Sequence, residues 1–259
     1  MQTDFLSVTE LAGDDVTQEQ LERLCHRYYW AGTYCKDKDV LEVACGTGQG
    51  LGYLARLARN LSAGDYSEAI LNIARSHYGN RIDLKQFDAQ QLPFADNTMD
   101  VIILFEAIYY IASAEKFVAD CSRILRPGGK VLIATANKDL FDFNPSPYSH
   151  TYYGVVELNK FFSQRGFSVE LFGYFAVDEL TLRQKILRPM KRLAIYFGLI
   201  PRTMHGKKLL KTIVFGKLVK MPAEIDEGIV SFTQPIPLPI DRKDYRHKVL
   251  YCVATLQQK

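Results

Sequence analysis

No run in this chain approaches the roughly 18 consecutive apolar residues that a membrane-crossing helix needs, so a spanning segment is not expected. Cysteine is sparse and unpatterned: Cys25, Cys35, Cys45, Cys121 and Cys252 are odd in number, widely spread and free of any C-x-x-C. That argues against a disulfide framework or a thiolate zinc site, and for reduced thiols in a cytosol. Met1-Gln2-Thr3-Asp4 lacks a basic start followed by an apolar core, so no secretory leader is expected and a cytoplasmic location is. No spacing of His, Asp and Glu marks a metal; Asp139 and Asp142 come nearest to a divalent-ion pair. The dinucleotide fingerprint G-x-G-x-x-G is also missing, because Gly46 and Gly48 are followed three residues on by Leu51. Acidic residues vanish between Leu180 and Ala223, where eleven Lys/Arg occur, leaving 21 basic against 29 acidic residues elsewhere. The net charge of +3 therefore hides an acidic body carrying a basic segment.

What is there begins with Val40-Leu41-Glu42-Val43-Ala44-Cys45-Gly46-Thr47-Gly48-Gln49-Gly50, followed by Leu51-Gly52-Tyr53-Leu54. An apolar run ends at an acid, passes through glycines and enters apolar residues at helical spacing. This is a strand, a tight turn and a helix start, which brings backbone close to a ligand. Cys45 is read as a small residue filling that turn. Upstream, residues 1–20 are polar and read as a loose arm, and Leu21, Leu24, Cys25, Tyr28 and Tyr29 predict a helix over about 18–34. Downstream, residues 61–65 read as a second strand ending at Asp65, with Ser67 capping the next helix. An acid about twenty residues past the glycine turn is placed to accept two ribose hydroxyls. A third strand spans 82–87 and ends at Asp88-Ala89; Asp100 opens an apolar fourth strand ending at Phe105-Glu106.

The pattern acid-x-Ala-x-Gly-x-Gly resembles motif I of the class I S-adenosylmethionine (SAM) methyltransferases, with Ala44 where many relatives have glycine. The alanine methyl is compatible with the turn if φ stays negative. The later stretch Asp88-x-x-x-Leu92-Pro93-Phe94-x-Asp96-x-x-x-Asp100-Val101 is similar to the methyltransferase type 11 group. The resemblance covers about residues 20–175 and 247–257. It implies a Rossmann-like α/β doubly wound sheet of seven strands with the last antiparallel, SAM as cofactor and S-adenosylhomocysteine as product. It assigns the cofactor to Arg27, Tyr28, Glu42, Ala44, Gly46, Gly48, Asp65, Tyr66, Asp88, Ala89, Phe105 and Glu106. Asp88 would take the adenine amino group and the backbone N–H of Ala89 the ring. The loop after the fourth strand, with Tyr109 and Tyr110, would face cofactor and acceptor. On this view residues 1–175 and 247–259 form the SAM-binding core and 176–246 a basic, mainly helical insert over the acceptor side.

Residues 117–125 read as a helix, and Pro127-Gly128-Gly129 as a turn into a fifth strand. The loop over 137–154, with Asn144-Pro145-Ser146-Pro147-Tyr148-Ser149-His150 and Tyr152, lies where the carboxyl ends of the strands bind ligands. It supplies Tyr148 and Tyr152 as acceptor-side residues and His150 as the first candidate general base, with His205 of the insert the second. Residues 155–164 read as a helix, 167–172 as strand six, 235–239 as a polyproline-like connector and 248–256 as strand seven. The insert has three readings: a cap with solvated lysines, a positive rim for an anionic acceptor such as a sugar pyrophosphate, or a surface for docking on anionic membrane. Nucleic acid is disfavoured because no stacking aromatics are interleaved with the charge. The Asn-Pro-Ser-Pro-Tyr-Ser loop and basic insert look like those of bacterial methyltransferases encoded with surface-glycan assembly enzymes. O-methylation of a sugar or glycan hydroxyl, and a place in polysaccharide biosynthesis, are therefore expected first. N- or O-methylation of a small natural product or quinone-like acceptor is the alternative, and a non-catalytic SAM-binding protein the third.

Overall fold

The computed structural model describes Leu6, residues 9–177 and residues 218–257. His205 and ten of the eleven basic residues between Leu180 and Ala223, all but Lys220, fall outside the described residues. In chain order the elements are β1 (Asp15–Val16), α1 (Gln18–Cys35), β2 (Asp39–Val43), α2 (Leu51–Leu57), β3 (Asn60–Asp65), α3 (Glu68–Tyr78), β4 (Asp83–Gln86) and β5 (Met99–Phe105). A 3-10 turn (Ile108–Tyr110) follows, then α4 (Ala114–Ile124), β6 (Leu125–Ala136), α5 (Val155–Ser163), β7 (Phe167–Ala176), β8 (Val219–Lys220), β9 (Ile236–Leu238) and β10 (His247–Leu256).

The main sheet has eight strands in the order β4-β3-β2-β5-β6-β10-β7-β9. Strands β4 through β6 pair in parallel, whereas β10 runs antiparallel to both β6 and β7. Parallel strands are buried on both faces, so their apolar residues divide by parity. Leu41, Val43, Ile102 and Leu104 pack with α4 and α5, while Val40, Val101 and Ile103 pack with α1 and α2. From β2 the chain winds outward through β3 and β4, then returns to place β5 on the other side of β2. That reversal opens a crevice at the carboxyl ends of β2 and β5, the place where such sheets bind ligands.

Several expectations are corrected. The eighth strand arises because 236–238, expected as a polyproline-like connector, pairs antiparallel with β7, Pro237 lying opposite Phe172. Proline is tolerated there because β9 is an edge strand. Helix α2 is short, ending at Leu57, since Arg59 N and Asn60 N donate to Lys38 O and draw the chain into β3. The Pro-Gly-Gly turn is a register shift inside β6: Leu125 pairs with Met99 and Lys130 already with Val101. Residues 9–17 are no loose arm. Gly13 N donates to Met221 O at 2.8 Å, β1 pairs antiparallel with β8, and Thr17 forms a capping box with Gln20. Of the segment expected as an insert, the described part from 218 on packs on the core: Ile225 is fully buried and its N–H donates to Gln49 O at 2.8 Å.

Helix α1 is held by an aromatic stack centred on His26, which is fully buried. Its ring lies 3.3 Å from that of Tyr174 and 5.7 Å from that of Tyr251, both stacked. Nε2 faces Thr233 O at 2.7 Å and Nδ1 faces Tyr251 OH at 2.9 Å. A carbonyl accepts only, so Nε2 carries the proton and Nδ1 accepts from the phenol. Burial lowers the His26 pKa to about 4, the carbonyl opposing that shift. Below the ordinary pKa near 6.5 the unfolded chain takes a proton that the folded one refuses, so stability is complete above that value and falls between pH 6.5 and 4. Urea unfolding of wild type and His26→Gln should show this: the wild type loses roughly 2–3 kcal/mol more across that window. Parallel pH curves would contradict the assignment.

Candidate functional site

The glycine turn after β2 is shaped by left-handed residues. Gly46 has φ +60°, Gly48 +82° and Ala44 +56°. Ala44 was expected at negative φ; its methyl instead sits in a region costing about 1–2 kcal/mol for an L-residue. The absent side chain of Gly48 serves packing, because a Cβ there would come 3.0 Å from Leu51 and from the Tyr78 ring, and Gly48 does not line the cavity described below. Tyr78 OH donates to Gly48 O at 2.6 Å and accepts from Gly52 N at 3.1 Å, pinning the turn to α3. Gly50 makes room for α1: a Cβ would fall 2.1 Å from the Tyr28 ring.

Above this turn lies a cavity of about 810 Å³. One half is floored by carboxylates in series on β2, on β3 and just past β4. Glu42 is buried, and its Oε1 accepts from Tyr28 OH at 2.6 Å while Oε2 has no hydrogen-bond partner among the described residues. Burial raises its pKa to about 7, the Tyr28 bond and the Arg27 charge opposing that shift. Arg27 also lines the cavity, and its buried Nε likewise has no hydrogen-bond partner among the described residues. Asp65 accepts from Gly46 N at 3.0 Å and from Ser67 N at 2.9 Å, tying the glycine turn to the cap of α3. Burial pushes the Asp65 carboxyl up against those backbone bonds, which lower it. Asp88 accepts from Gln90 N at 2.8 Å; Ala89 and the half-exposed Tyr66 complete this half.

The other half starts at Phe105, whose ring meets Tyr28 edge-on at 5.5 Å, and Glu106. It is walled by aromatics: the Tyr109 and Tyr152 rings stack at 4.2 Å, and Tyr110 OH shares a 2.5 Å hydrogen bond with Ser146 Oγ. Tyr152 OH accepts from Ser146 N at 3.0 Å, and His150 N donates to Tyr109 O at 2.7 Å, so the loop over 144–152 is folded onto the 3-10 turn. The exposed His150 lines the cavity; Tyr148, expected on this side, does not. Cys45 lines the turn, and burial raises its thiol well above the ordinary range, so it is no activated nucleophile. All five cysteines are free and buried. Among the described residues no group of three His, Cys, Asp or Glu is placed for a metal, and no helix is long and apolar enough to cross a membrane.

Arg23, Gln49, Glu10 and Gln90 also line the cavity and were not singled out in the sequence. Arg23 had a signal: it stands one helical turn before Arg27 and so shares its face. Its guanidinium pairs with Glu106 Oε1 at 3.5 Å. Gln49 links both ends of the chain, its amide donating to Glu10 O at 2.8 Å while its carbonyl receives Ile225 N. Nothing local in the sequence marks Glu10.

Residues 41–133 match the family model described as a methyltransferase domain. The chain is 34% identical over 153 residues to a Mycolicibacterium smegmatis protein named a probable S-adenosylmethionine-dependent methyltransferase, covering 58% of this chain and 56% of that one. It is 32% identical over 104 residues to the ubiquinone biosynthesis O-methyltransferase of Sinorhizobium medicae, covering 39% of this chain and 42% of that one. The chain thus spans about half the length of the curated relatives it matches. The YcgJ protein of Bacillus subtilis superposes with a TM-score of 0.58 at 13% identity, covering 91% of this chain and all of that one, which shows a shared fold. The fold is the Rossmann-like doubly wound α/β sheet of these proteins.

The acid-lined half has the chemistry to hold SAM, the methyl donor in the name of the Mycolicibacterium smegmatis relative. Glu42 Oε2 and Arg27 Nε are buried polar atoms awaiting charged partners, a combination that suits an amino-acid group carrying both signs. Asp65 and Asp88 add acceptors for hydroxyls and for a ring amino group. Because the raised Glu42 pKa keeps that acid protonated where the unfolded chain ionises it, unliganded stability declines from pH 4.5 to about 7 and is flat beyond. Glu42→Gln should accordingly stabilise the unliganded protein at pH 8 by roughly 2–3 kcal/mol while leaving it unchanged at pH 4. Equal gains at both pH values in thermal melts would contradict the ionisation account.

Proposed function

We propose that this chain is a SAM-dependent methyltransferase acting on a hydroxyl of a sugar or glycan-type acceptor. The observation that carries this is the continuity of the cavity, in which a carboxylate-lined half opens directly onto a half walled by stacked tyrosines and loop polar groups. The matched methyltransferase domain and its SAM-dependent relatives support the first element, the reaction class. The second element, the acceptor, rests on the chemistry of the wall. Tyr109, Tyr110 and Tyr152 line the cavity together with Ser146, Asn144 and His150, a mixture of aromatic and polar groups that suits a ring apolar on its faces and hydroxylated at its edge.

SAM, when bound, supplies an electrophilic methyl on a sulfonium leaving group. The chain's own residues then bind and orient. In this reading Arg27, Glu42 and Tyr28 hold the amino-acid end, Asp65 accepts the ribose hydroxyls, and Asp88 with Ala89 takes the adenine edge. The tyrosines and His150 line the path of the acceptor. Holding a hydroxyl in line with the methyl at roughly 3–3.5 Å and excluding water contributes most of the acceleration. The basic segment over 183–220, with His205, is proposed to favour an acceptor bearing phosphate, or one presented at an anionic membrane surface. A second reading, transfer to a phenolic or quinone-like acceptor, is favoured by the stacked tyrosine wall and by the ubiquinone-pathway relative.

Asp65→Ala should weaken adenosylhomocysteine binding about tenfold or more, since charge-assisted bonds to two hydroxyls are lost along with the anchor of Gly46. Unchanged affinity by calorimetry would remove the ribose role. Methylation of fractionated cell extract with methyl-labelled SAM tests the whole reading, with label expected in carbohydrate-containing fractions. Label in a quinone or phenol fraction would select the second reading. Tight adenosylhomocysteine binding with no labelled fraction would leave a non-catalytic SAM-binding protein.

A further inference from the structure

We propose that Glu106 is the catalytic residue that takes the proton from the acceptor hydroxyl, and that Tyr109 and Arg23 position it; the assignment rests on the methyl-transfer reading above. Glu106 follows β5 directly. In the sheet β5 lies between β2, which carries the acid-lined half, and β6, which leads into the loop over 144–152. Glu106 therefore stands at the boundary where methyl donor and acceptor must meet. Its backbone N–H donates to Ala134 O at 2.8 Å, and its φ of +49° is left-handed, a conformation that a long side chain adopts only when the surroundings impose it.

Both carboxylate oxygens are engaged, one on each side of the cavity. Oε1 faces Arg23 Nη2 of α1 at 3.5 Å, and Oε2 faces Tyr109 OH of the 3-10 turn at 3.2 Å. These contacts are long enough to orient the group and still leave acceptor capacity, since an ionised carboxylate has about four lone-pair sites. Burial holds the Tyr109 phenol well above its ordinary ionisation range, so this tyrosine keeps its proton and serves as a donor to the carboxylate. The other acids of the cavity are placed differently: Asp65 is committed to two backbone N–H groups, Asp88 to Gln90 and Glu10 to the side-chain amide of Gln20, and Glu42 lies beneath Tyr28.

In the transfer, a lone pair of the acceptor oxygen forms the new O–C bond while the C–S bond breaks, its electron pair remaining on sulfur. The hydroxyl proton passes to Glu106, and the carboxylic acid so formed returns it to water. Protons and charge balance with no further reagent.

Adenosylhomocysteine calorimetry and single-turnover labelling of the extract fraction that wild type methylates, read from pH 6 to 9, test this. Glu106→Gln should bind adenosylhomocysteine within about twofold of wild type yet methylate about 100-fold more slowly, its residual rate rising with pH as hydroxide substitutes for the carboxylate. Tyr109→Phe should lower the rate about tenfold and keep the wild-type pH profile, as a positioning residue does. Loss of adenosylhomocysteine affinity by about tenfold in Glu106→Gln would make the residue a cofactor ligand and overturn the proposal. So would collapse of turnover in His150→Gln with Glu106→Gln within about threefold of wild type. Wild type that binds adenosylhomocysteine but labels no fraction would overturn the methyl-transfer reading itself, and this assignment with it.

Discussion

The site depends on a carboxylate buried inside a parallel sheet. Glu42 points from β2 toward α1, where one oxygen is satisfied by Tyr28 and the other by nothing among the described residues. A buried acid in that state costs several kcal/mol if ionised and is tolerated when a cation completes it. Around this constraint the neighbouring choices follow. Tyr28 reaches Glu42 only because Gly50 has no side chain, and α1 lies where it does because His26 and Trp30 are stacked against Tyr251. The ligand end of the sheet is thus less stable than a hydrophobic version would be, in the manner of sites organised for binding rather than for folding.

Closure of the cavity is a second, long-range arrangement. Gln49 ties the segment before α1 to the segment after residue 217, through its side chain to Glu10 and its carbonyl to Ile225. Glu224, next to Ile225, meets His77 and Arg81 of the α3 region at 2.8 Å and covers Gly52 so closely that a Cβ there would clash. The motif turn is therefore clasped from both sides by chain that is distant in sequence.

Much of this was legible in the sequence because its causes are local. Strand, glycine turn and helix over 40–57 follow from apolar alternation and from residues that accept left-handed backbone; the Ser67 cap follows from its own side-chain chemistry. What was misread has non-local causes. The arm over 9–17 is polar and looks loose, yet it is ordered by Met221 and β8, about 200 residues away. The segment 236–238 looks like a polyproline connector until β7 offers it an edge. The φ of Ala44 is set by how the turn closes on Asp65 and Cys45, which no residue type announces. Tyr148 and Gly48 match the pattern of site residues but do not line the cavity, Gly48 serving instead the packing of the turn on Leu51 and Tyr78, since a motif specifies residue type and not position relative to a cavity.

The central claim is that Glu42 waits, protonated and half-satisfied, for the positive group of an adenosyl ligand. Calorimetry of SAM binding near pH 6.5, repeated in buffers of different ionisation enthalpy, measures this directly. Binding should release a substantial fraction of one proton per site in wild type and close to none in Glu42→Gln. SAM binding with no proton release in either protein would contradict the claim, as would indifference to SAM with uptake of a nicotinamide dinucleotide.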